Sequence, residues 1–520
     1  MKMNFLSIIF SIFVSSIILI AFIIALVTDF LRRKKLQPPS PWKLPLLGSL
    51  HHLMGNLPSH QILRNLAHKY GPLMHLQIGE IPTLVVSSSR VAEKILKTHD
   101  LAFADRVEFL GNKITMYDCS DIAMCQYGEY WRQMRKICMI ELLSAKNVRS
   151  FEHIRNDEAS QLISSLKAAG GGAAASGGAV SVDLTEELRK YSNNMVSRAA
   201  FGRVNEEDRD AFLKLLADMA SSEATLDVVD LFPSLKILHP ILSRRNEFMK
   251  IRNIYDRIMD RIIDQHCKNF ARTKQGMGES GQEDLVDVLL RVKGSGDLQV
   301  QISNDNIKAV LMDVFIGATE NPSAIMEWAM SEMIRHPNVM AKAQSEIRNA
   351  FRGKEKVREA DVQELKYLKL VIKETLRLHP IVPLLVPRKC REKCEIDGYE
   401  IPINTMVMVN VWAIGRDPEY WKDPESFKPE RFENISAEFS GTNFHYLPFG
   451  AGRRVCPGIS FGLANVELAL ALLLYHFDWK LPNGLNCDEL DMSESVRITV
   501  MRKTNLQLLA TLRDDPSLDI

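Results

Sequence analysis

The chain has 520 residues, of which 46% are hydrophobic and 25% charged, and its formal net charge is +1. This is the composition of an ordinary globular protein. It gives no sign of a nucleic-acid partner, which would require a concentrated basic face. The eight cysteines are scattered, so the chain does not resemble a disulfide-stapled secreted domain.

The N-terminus, residues 1–31, is predicted to form one transmembrane helix. Residues 5–27 carry no charge and exceed the about 20 residues that cross a bilayer. The basic run 32–35 follows, whereas Lys2 is the only charge before it. By the positive-inside rule, the rest of the chain stays in the cytosol. A cleaved signal peptide, whose apolar core usually spans about 7–15 residues, is the less favoured alternative.

Residues 32–50 are predicted to form a basic, proline-rich hinge, because closely spaced prolines make a stiff extended spacer. Residues 51–520 are predicted to form one domain, mainly α-helical with small β-sheets. The β-like stretches are 73–88, which resembles a hairpin, 395–412 and 497–512. Two stretches, 168–178 and 272–284, are predicted to be surface loops.

The longest helical run begins near Ser303 and ends at Pro337. This run contains the segment GATENPS, residues 317–323, and Pro322 lies near the centre of the run. A proline inside a helix lacks an N–H group and clashes with the carbonyl four residues before it, here that of Ala318. The sequence therefore predicts a break in this helix.

A second segment, FGAGRRVCPG, surrounds Cys456 with three glycines and precedes an apolar helix that begins near Ile459. A cysteine just before a helix N-terminus has its thiolate stabilised by backbone N–H groups and nearby positive charge, here Arg453 and Arg454. This pattern indicates a metal ligand or a nucleophile. A buried structural cysteine, the third alternative, would not need these neighbours.

The same segment matches Phe-x-x-Gly-x-Arg-x-Cys-x-Gly, and in this the chain resembles the cytochromes P450, whose haem-binding signature this is. Three more motifs agree: KETLRLHP contains Glu-x-x-Arg, FKPERF a partner arginine, and WRQMR a Trp-x-x-x-Arg pair. With the proline-rich hinge and FADR, they resemble the plant microsomal group called A-type. The resemblance implies the α-rich P450 fold and haem b as cofactor, with Cys456 as the iron ligand.

The resemblance also assigns roles to residues around the haem. The groups expected to hold its propionates are Trp131, Arg135, Arg388 and Arg454. Phe449 is expected to pack beside the sulfur. Glu374 and Arg377 lie three residues apart on one helix and share a face, and with Arg431 they are expected to form a structural ion network.

Residues 317–322 align with the family's Ala/Gly-Gly-x-Asp/Glu-Thr-Thr/Ser motif. The acid is retained as Glu320, but Asn321 occupies the threonine position and Pro322 follows. In the family, the threonine hydroxyl helps a water molecule deliver protons for oxygen activation. An amide is not a proton relay, although it can hold a water molecule. We interpret Glu320 and Asn321 as an altered relay; a tolerated kink without a chemical role is the alternative.

The segments that line the substrate pocket in this family are mostly apolar here. They comprise Val107, Phe109, Leu110, Ile114, Met116, Val310, Val314, Gly317, Ile381, Val382, Leu384, Leu385 and Val496. Core packing would also explain each of them. Together they indicate a lipophilic substrate, a terpenoid first and phenolic or alkaloid compounds next. Arg497 faces either a polar substrate group or, the favoured interpretation, solvent.

The resemblance implies a monooxygenase anchored in the endoplasmic reticulum membrane. Its electrons would come from a separate NADPH–cytochrome P450 reductase, since the chain has no nucleotide-binding fingerprint of its own. Cytochrome b5 is a further candidate partner. Two alternatives stay open: a reductase-independent haem-thiolate isomerase or dehydratase, and a non-catalytic haem-binding membrane protein.

Overall fold

The computed structural model describes residues 37–169, 180–202, 207, 211–212, 214–215, 227–235, 237, 239–273, 283–295, 299–354, 357–435, 437–495 and 499–513. The predicted anchor lies outside the described residues, as do Val496 and Arg497 of the predicted pocket. Most of the two predicted surface loops also lies outside them.

Helices make up most of the described chain, as predicted. They are, in chain order, α1 Ser59–Tyr70, α2 Ser89–Glu93, α3 Leu110–Thr115, α4 Glu129–Ile137, α5 Ala145–Ser150, α6 Glu152–Ala169, α7 Leu184–Phe201, α8 Val228–Leu231, α9 His239–Leu242, α10 Arg245–Thr273, α11 Leu285–Gly294, α12 Asn304–Arg335, α13 Pro337–Ala350, α14 Glu359–Gln363, α15 Lys366–Leu378, α16 Val411–Ile414 and α17 Ile459–His476. Short 3₁₀ turns include Pro429–Glu433 and Gly452–Arg454.

The strands form small sheets at the edges of the helical body. They are β1 Leu73–Ile78, β2 Ile81–Val86, β3 Asp105–Arg106, β4 Val180–Asp183, β5 Arg388–Lys389, β6 Cys394–Ile396, β7 Tyr399–Ile401, β8 Met406–Val409, β9 Phe477–Lys480 and β10 Gln507–Leu512. The largest sheet has the order β1-β2-β8-β5-β3, a second has the order β4-β10-β9, and β6 pairs with β7. The predicted hairpin is confirmed, because β1 and β2 pair antiparallel with Ile78 opposite Ile81.

The long helix α12 begins and ends where the sequence predicts. Ser303 caps its N-terminus by accepting a hydrogen bond from the Asn306 backbone N–H at 3.2 Å, and Pro337 opens the next helix. The predicted break at Pro322 is wrong, since α12 continues through this residue. Pro322 and the residues after it, up to Ile334, are buried, and packing of this half outweighs a local cost of about 3 kcal/mol.

Helix α17 runs through the core directly after the cysteine segment. It is apolar on all sides, which is typical of a fully buried helix, and its residues pack against α6, α12 and α15. Among the described helices, α17 alone has the length and hydropathy to cross a membrane, and most of it is buried inside the protein. We therefore interpret it as the central core helix.

The described part of the predicted hinge lies against the first sheet. His75 in β1 donates its backbone N–H to Pro39 O at 2.9 Å, and Gly48 forms a β-bridge with Ile78. The folded body thus includes residues before 51, and the hinge boundary itself stays a prediction.

The predicted ion network of α15 is assembled in the structure. Arg377 donates to both carboxylate oxygens of Glu374, at 2.7 and 2.8 Å, and Arg431 donates to the same carboxylate at 2.9 Å. Arg377 also donates to Gly415 O at 2.7 Å and to Pro424 O at 2.6 Å. Glu374 and Arg377 are fully buried. The network therefore ties α15 to the segment that follows α16.

We expect Glu374→Ala to lower the free energy of unfolding by about 3–5 kcal/mol, because two guanidinium groups then lose their buried carboxylate. Chemical denaturation followed by circular dichroism measures the change. Glu364→Ala, at an exposed position before α15, is the matched control and should change stability by about 0.5 kcal/mol at most. An equally small effect of Glu374→Ala would contradict a structural role.

Candidate active site

The segment before α17 forms a tight loop that presents Cys456. The Cys456 backbone N–H donates to Phe449 O at 3.1 Å, and Val455 N–H donates to Gly452 O at 3.1 Å. Gly452 has φ +69°, and a Cβ there would lie 2.3 Å from Leu96 O. Because a side chain would clash at this position, the glycine is needed to bring the loop against the segment that follows α2.

Cys456 is partly exposed, and its sulfur lies beside one guanidinium group. Burial raises the pKa of the Cys456 thiol, whereas the Gly458 backbone N–H and the charge of Arg135 lower it. Arg135 donates to Val455 O at 2.6 Å, in the same loop, and its role at a haem propionate stays a prediction. The expectation that Arg453 and Arg454 stabilise the thiolate is wrong. Arg453 pairs with Asp100 at 3.2 Å, and Arg454 turns towards α4.

Next to this loop lies a group of buried cations, which we call the cationic cradle: Arg106, Arg388 and Arg454, with Trp131. Arg388 donates to Ala451 O at 2.7 Å and to Asp100 at 2.8 Å. Arg454 donates to Ala104 O at 2.8 Å, and its guanidinium lies 4.3 Å from the ring centroid of Trp131. The structure thus brings together Trp131, Arg388 and Arg454, which lie far apart in the sequence.

Sequence reasoning did not assign Arg106, although it stands in the quoted FADR segment. Arg106 forms β3 with Asp105 and donates to Ala123 O at 2.9 Å. Burial and the neighbouring charges of Arg454 and Arg388 lower the pKa of Arg106 well below its ordinary value. A buried arginine between two other cations is a signal that only the tertiary structure reveals.

On the long helix, an accessible stripe interrupts the burial. Asp313, Val314, Glu320 and Asn321 are partly exposed and Gly317 is exposed, at spacings of three and four residues that define one helix face. A Cβ at Gly317 would meet no atom within 4 Å. The neighbouring hydroxyl of Thr319 is buried and donates to Phe315 O at 2.8 Å, so it does not belong to this stripe.

The predicted pocket residues differ in their surroundings. Val107, Phe109 and Leu384 pack in one apolar cluster, and Met116, Val310 and Val314 in another. Val310 has no exposed surface, whereas Leu110, Val382, Leu384 and Leu385 are partly exposed. Ile114 and Ile381 are buried. Their role in substrate binding stays a prediction.

The sequence model described as Cytochrome P450 matches residues 38–509. The chain belongs to this family. The P450 fold is also found in a zebrafish cytochrome P450 solved with abiraterone, which superposes with a TM-score of 0.74 at 24% identity, covering 88% of this chain and 100% of that one.

Curated plant relatives are much more similar in sequence. Premnaspirodiene oxygenase from Hyoscyamus muticus is 54% identical over 92% of this chain and 93% of its own length. 5-epiaristolochene 1,3-dihydroxylase from Nicotiana tabacum is 52% identical over 92% and 93%. Desmethyl-deoxy-podophyllotoxin synthase from Sinopodophyllum hexandrum is 50% identical over 96% of both chains. This P450 therefore is a plant-type monooxygenase with haem b as its cofactor.

The residues present fit haem b. The cationic cradle holds three buried guanidinium groups beside the Cys456 loop, while Arg106 and Arg454 donate to backbone carbonyl oxygens. Two propionates would neutralise this positive charge. The open space at Gly317 adds room for a flat ligand and a substrate. Like P450 monooxygenases in general, the protein requires a redox partner and a small lipophilic substrate.

We expect Cys456→Ala to abolish the haem–thiolate signal in the carbon monoxide difference spectrum, because the sulfur ligand is removed. Cys487→Ala, at a partly exposed thiol in a surface turn, is the control and should leave the spectrum unchanged. A Cys456→Ala protein that keeps both pigment and turnover would contradict the assignment of the ligand.

Proposed function

We propose that this P450 is a membrane-anchored enzyme that inserts one oxygen atom into a lipophilic plant specialised metabolite, with a terpenoid as the first candidate class. The observation that carries the proposal is the Cys456 loop beside the cationic cradle, together with the accessible stripe at Gly317. The relatives' names support the class, since they describe plant oxygenases and a dihydroxylase.

When bound, haem b supplies the activation of dioxygen, with electrons from the proposed partner, NADPH–cytochrome P450 reductase. Cys456 would hold the iron, while Arg388, Arg454 and Trp131 would hold the propionates. Arg135 would support the negative charge of the sulfur. Phe449, whose ring packs edge-on against Phe439 with centroids 5.3 Å apart, would limit water near the sulfur. Cytochrome b5 is a further proposed electron donor.

Glu320 and Asn321 are the proposed proton-delivery residues. Both lie on the accessible stripe of α12, whereas the hydroxyls of Thr319 and Ser323 donate to backbone carbonyls of the helix itself. Because Pro322 has no N–H group, the Ala318 carbonyl lacks its usual helical donor and is an acceptor for water. The Asn321 amide would hold that water molecule, and the Glu320 carboxyl group would exchange protons with it.

Asn321→Leu removes the amide while retaining side-chain size, and we expect it to lower product formed per NADPH consumed by about tenfold, because an apolar side chain cannot hold water. Asn321→Thr supplies a hydroxyl and should change both rate and coupling. The ratio is measured in reconstituted membranes. Asn253→Leu, exposed on α10, is the control. An unchanged Asn321→Thr protein would show that Asn321 has no special role.

The substrate class can be tested without knowing the product. Terpenoid, phenolic and alkaloid compounds are screened for the change that they cause in the haem spectrum of membrane preparations. Turnover is then measured with and without NADPH and reductase. Product formed without both would instead support an isomerase or dehydratase, for which the missing threonine hydroxyl at Asn321 is the motivating feature. Binding without turnover would support a non-catalytic haem protein.

An exposed apolar surface supports the proposed endoplasmic reticulum membrane location. Leu46, Ile237 and Ile241 are 86%, 91% and 80% exposed. The turn between β1 and β2 connects their segments, since Gly79 N–H donates to Leu47 O and Glu80 N–H donates to Leu231 O at 2.8 Å. We propose that this surface faces the bilayer into which the predicted anchor, residues 1–31, inserts.

In a chain that lacks residues 1–31, we expect Ile237→Glu with Ile241→Glu to weaken binding to phospholipid vesicles by about tenfold or more. The reason is that the bilayer can then no longer bury these two apolar side chains. Cosedimentation measures the bound fraction. Leu485→Glu, exposed in the turn beside β10, is the matched control. If the truncated parent, the Ile237→Glu/Ile241→Glu variant and the Leu485→Glu variant bound vesicles equally, this surface would not be the one that contacts the membrane.

A further inference from the structure

Two aspartates meet between the long helix and the loop that precedes α4. Asp313 lies on α12, and its Oδ2 accepts from the backbone N–H groups of Ile122 and Ala123 at 2.8 and 2.9 Å. Asp121 has no exposed surface. Because Ile122 directly follows Asp121, the two carboxyl groups are neighbours, and a proton between them would relieve the repulsion of two carboxylates.

Asp121 has one oxygen that needs such a proton. Its Oδ2 accepts from the Met124 backbone N–H at 2.9 Å. Its Oδ1 is buried, and no group in the described part of the chain donates to it. A buried acceptor without a donor is costly. A proton on Asp313 Oδ1 would supply the missing donor while Oδ2 keeps both loop N–H groups.

The segment between the pair and the cradle, residues 121–125, has its backbone dipoles aligned. Its N–H groups face the two aspartates, whereas its carbonyl groups face the cradle. Ile122 O accepts from Trp131 Nε1 at 3.0 Å and from Arg454 Nη1 at 3.2 Å. Ala123 O accepts from Arg106 at 2.9 Å. The 121–125 loop therefore connects α12 to the cradle by hydrogen bonds alone.

We propose that Asp121 and Asp313 share one proton and act as a positioning pair, which fixes the 121–125 loop and, through it, Trp131, Arg106 and Arg454. Neither aspartate touches Cys456 or the cradle guanidinium groups through a direct hydrogen bond among the contacts described above. The inference rests on the proposed function, because that function assigns the cradle to haem.

The electrostatics of the surroundings agree with a shared proton. Burial raises the pKa of Asp121 to about 6, and burial together with Asp121 raises the pKa of Asp313 well above its ordinary value. Arg106 faces the pair as a cation. Thiols and phenols also face it, and burial raises the pKa of each, so they are neutral at neutral pH: Cys119, Cys125, Cys138, Tyr130 and Tyr255.

The sign of the pH dependence follows from these directions. A group whose pKa is raised in the folded protein contributes most stability at low pH and loses it as the pH rises through the folded pKa. The pair should therefore hold the cradle less well as the pH rises through the folded pKa of Asp313, when the shared proton leaves.

The test compares Asp313→Asn and Asp313→Ala in the full-length holoenzyme, with Asp305→Asn, exposed at the start of α12, as the control. Asparagine keeps an acceptor for the loop and an N–H donor for Asp121, and so mimics the protonated acid. We expect Asp313→Asn to retain haem as the wild type does at neutral pH. Asp313→Ala should lose haem about tenfold faster or more.

Two readouts separate a shared proton from a merely structural role. The infrared difference between the wild type and Asp313→Asn should contain a protonated carboxylic acid band, which the Asp305→Asn difference lacks. The rate of haem loss should rise with pH in the wild type and stay flat in Asp313→Asn, whose pair has no shared proton to lose.

The proposal is overturned if the infrared difference contains no acid band, or if Asp313→Asn loses haem as fast as Asp313→Ala. It is also overturned if Asp313→Asn keeps the pH slope of the wild type. If Asp313→Ala does not fold, the pH dependence of haem loss in Asp313→Asn and the infrared difference still test whether the two aspartates share a proton. A wild-type protein without any haem pigment would instead refute the proposed function, while the infrared difference would still test the pair.

Discussion

The site depends on one constraint, which is that buried guanidinium groups lose their water and must find other hydrogen-bond acceptors. Arg388, Arg454 and Arg106 are buried together, and such charges require anions or carbonyl oxygens at hydrogen-bonding distance. The chain supplies Asp100 and carbonyls of the Cys456 loop and its neighbours, so the positions of the arginines and the conformation of that loop determine each other. The remaining positive charge is what makes this cradle suitable for a ligand with two carboxylates.

The long helix α12 serves two purposes along its length. Its second half is buried on all sides, with Trp328 and Met330 in the main apolar cluster, and this packing keeps the helix continuous through Pro322. Its first half has one open face at Gly317 and one polar side chain, Asp313, bonded to the 121–125 loop. Rigid packing in one half therefore fixes the position of the other half, where a substrate needs space rather than contacts.

Local spacing made part of this site predictable from sequence. Glu374 and Arg377 meet because they are one helical turn apart, and the Cys456 loop is encoded by glycines within ten residues. Other features depend on contacts between distant segments, such as Asp313 with Ile122 or Arg106 with Ala123. The choice of Arg135, rather than Arg453, as the cation beside the sulfur also depends on side-chain direction. The continuity of α12 at Pro322 could not be predicted, since tertiary packing there outweighs local propensity.

The electrostatics at Cys456 bear on a choice that the sequence left open, between a metal ligand and a nucleophile. A nucleophilic cysteine needs a thiolate in the free protein, and such sites lower the pKa of the thiol. Here burial raises the pKa of Cys456 more than Gly458 and Arg135 lower it. A metal ligand does not need a thiolate in the free protein, because metal binding itself releases the thiol proton. These directions favour a metal ligand over a nucleophile, and Arg135 is the neighbouring charge that would support the sulfur if iron were bound.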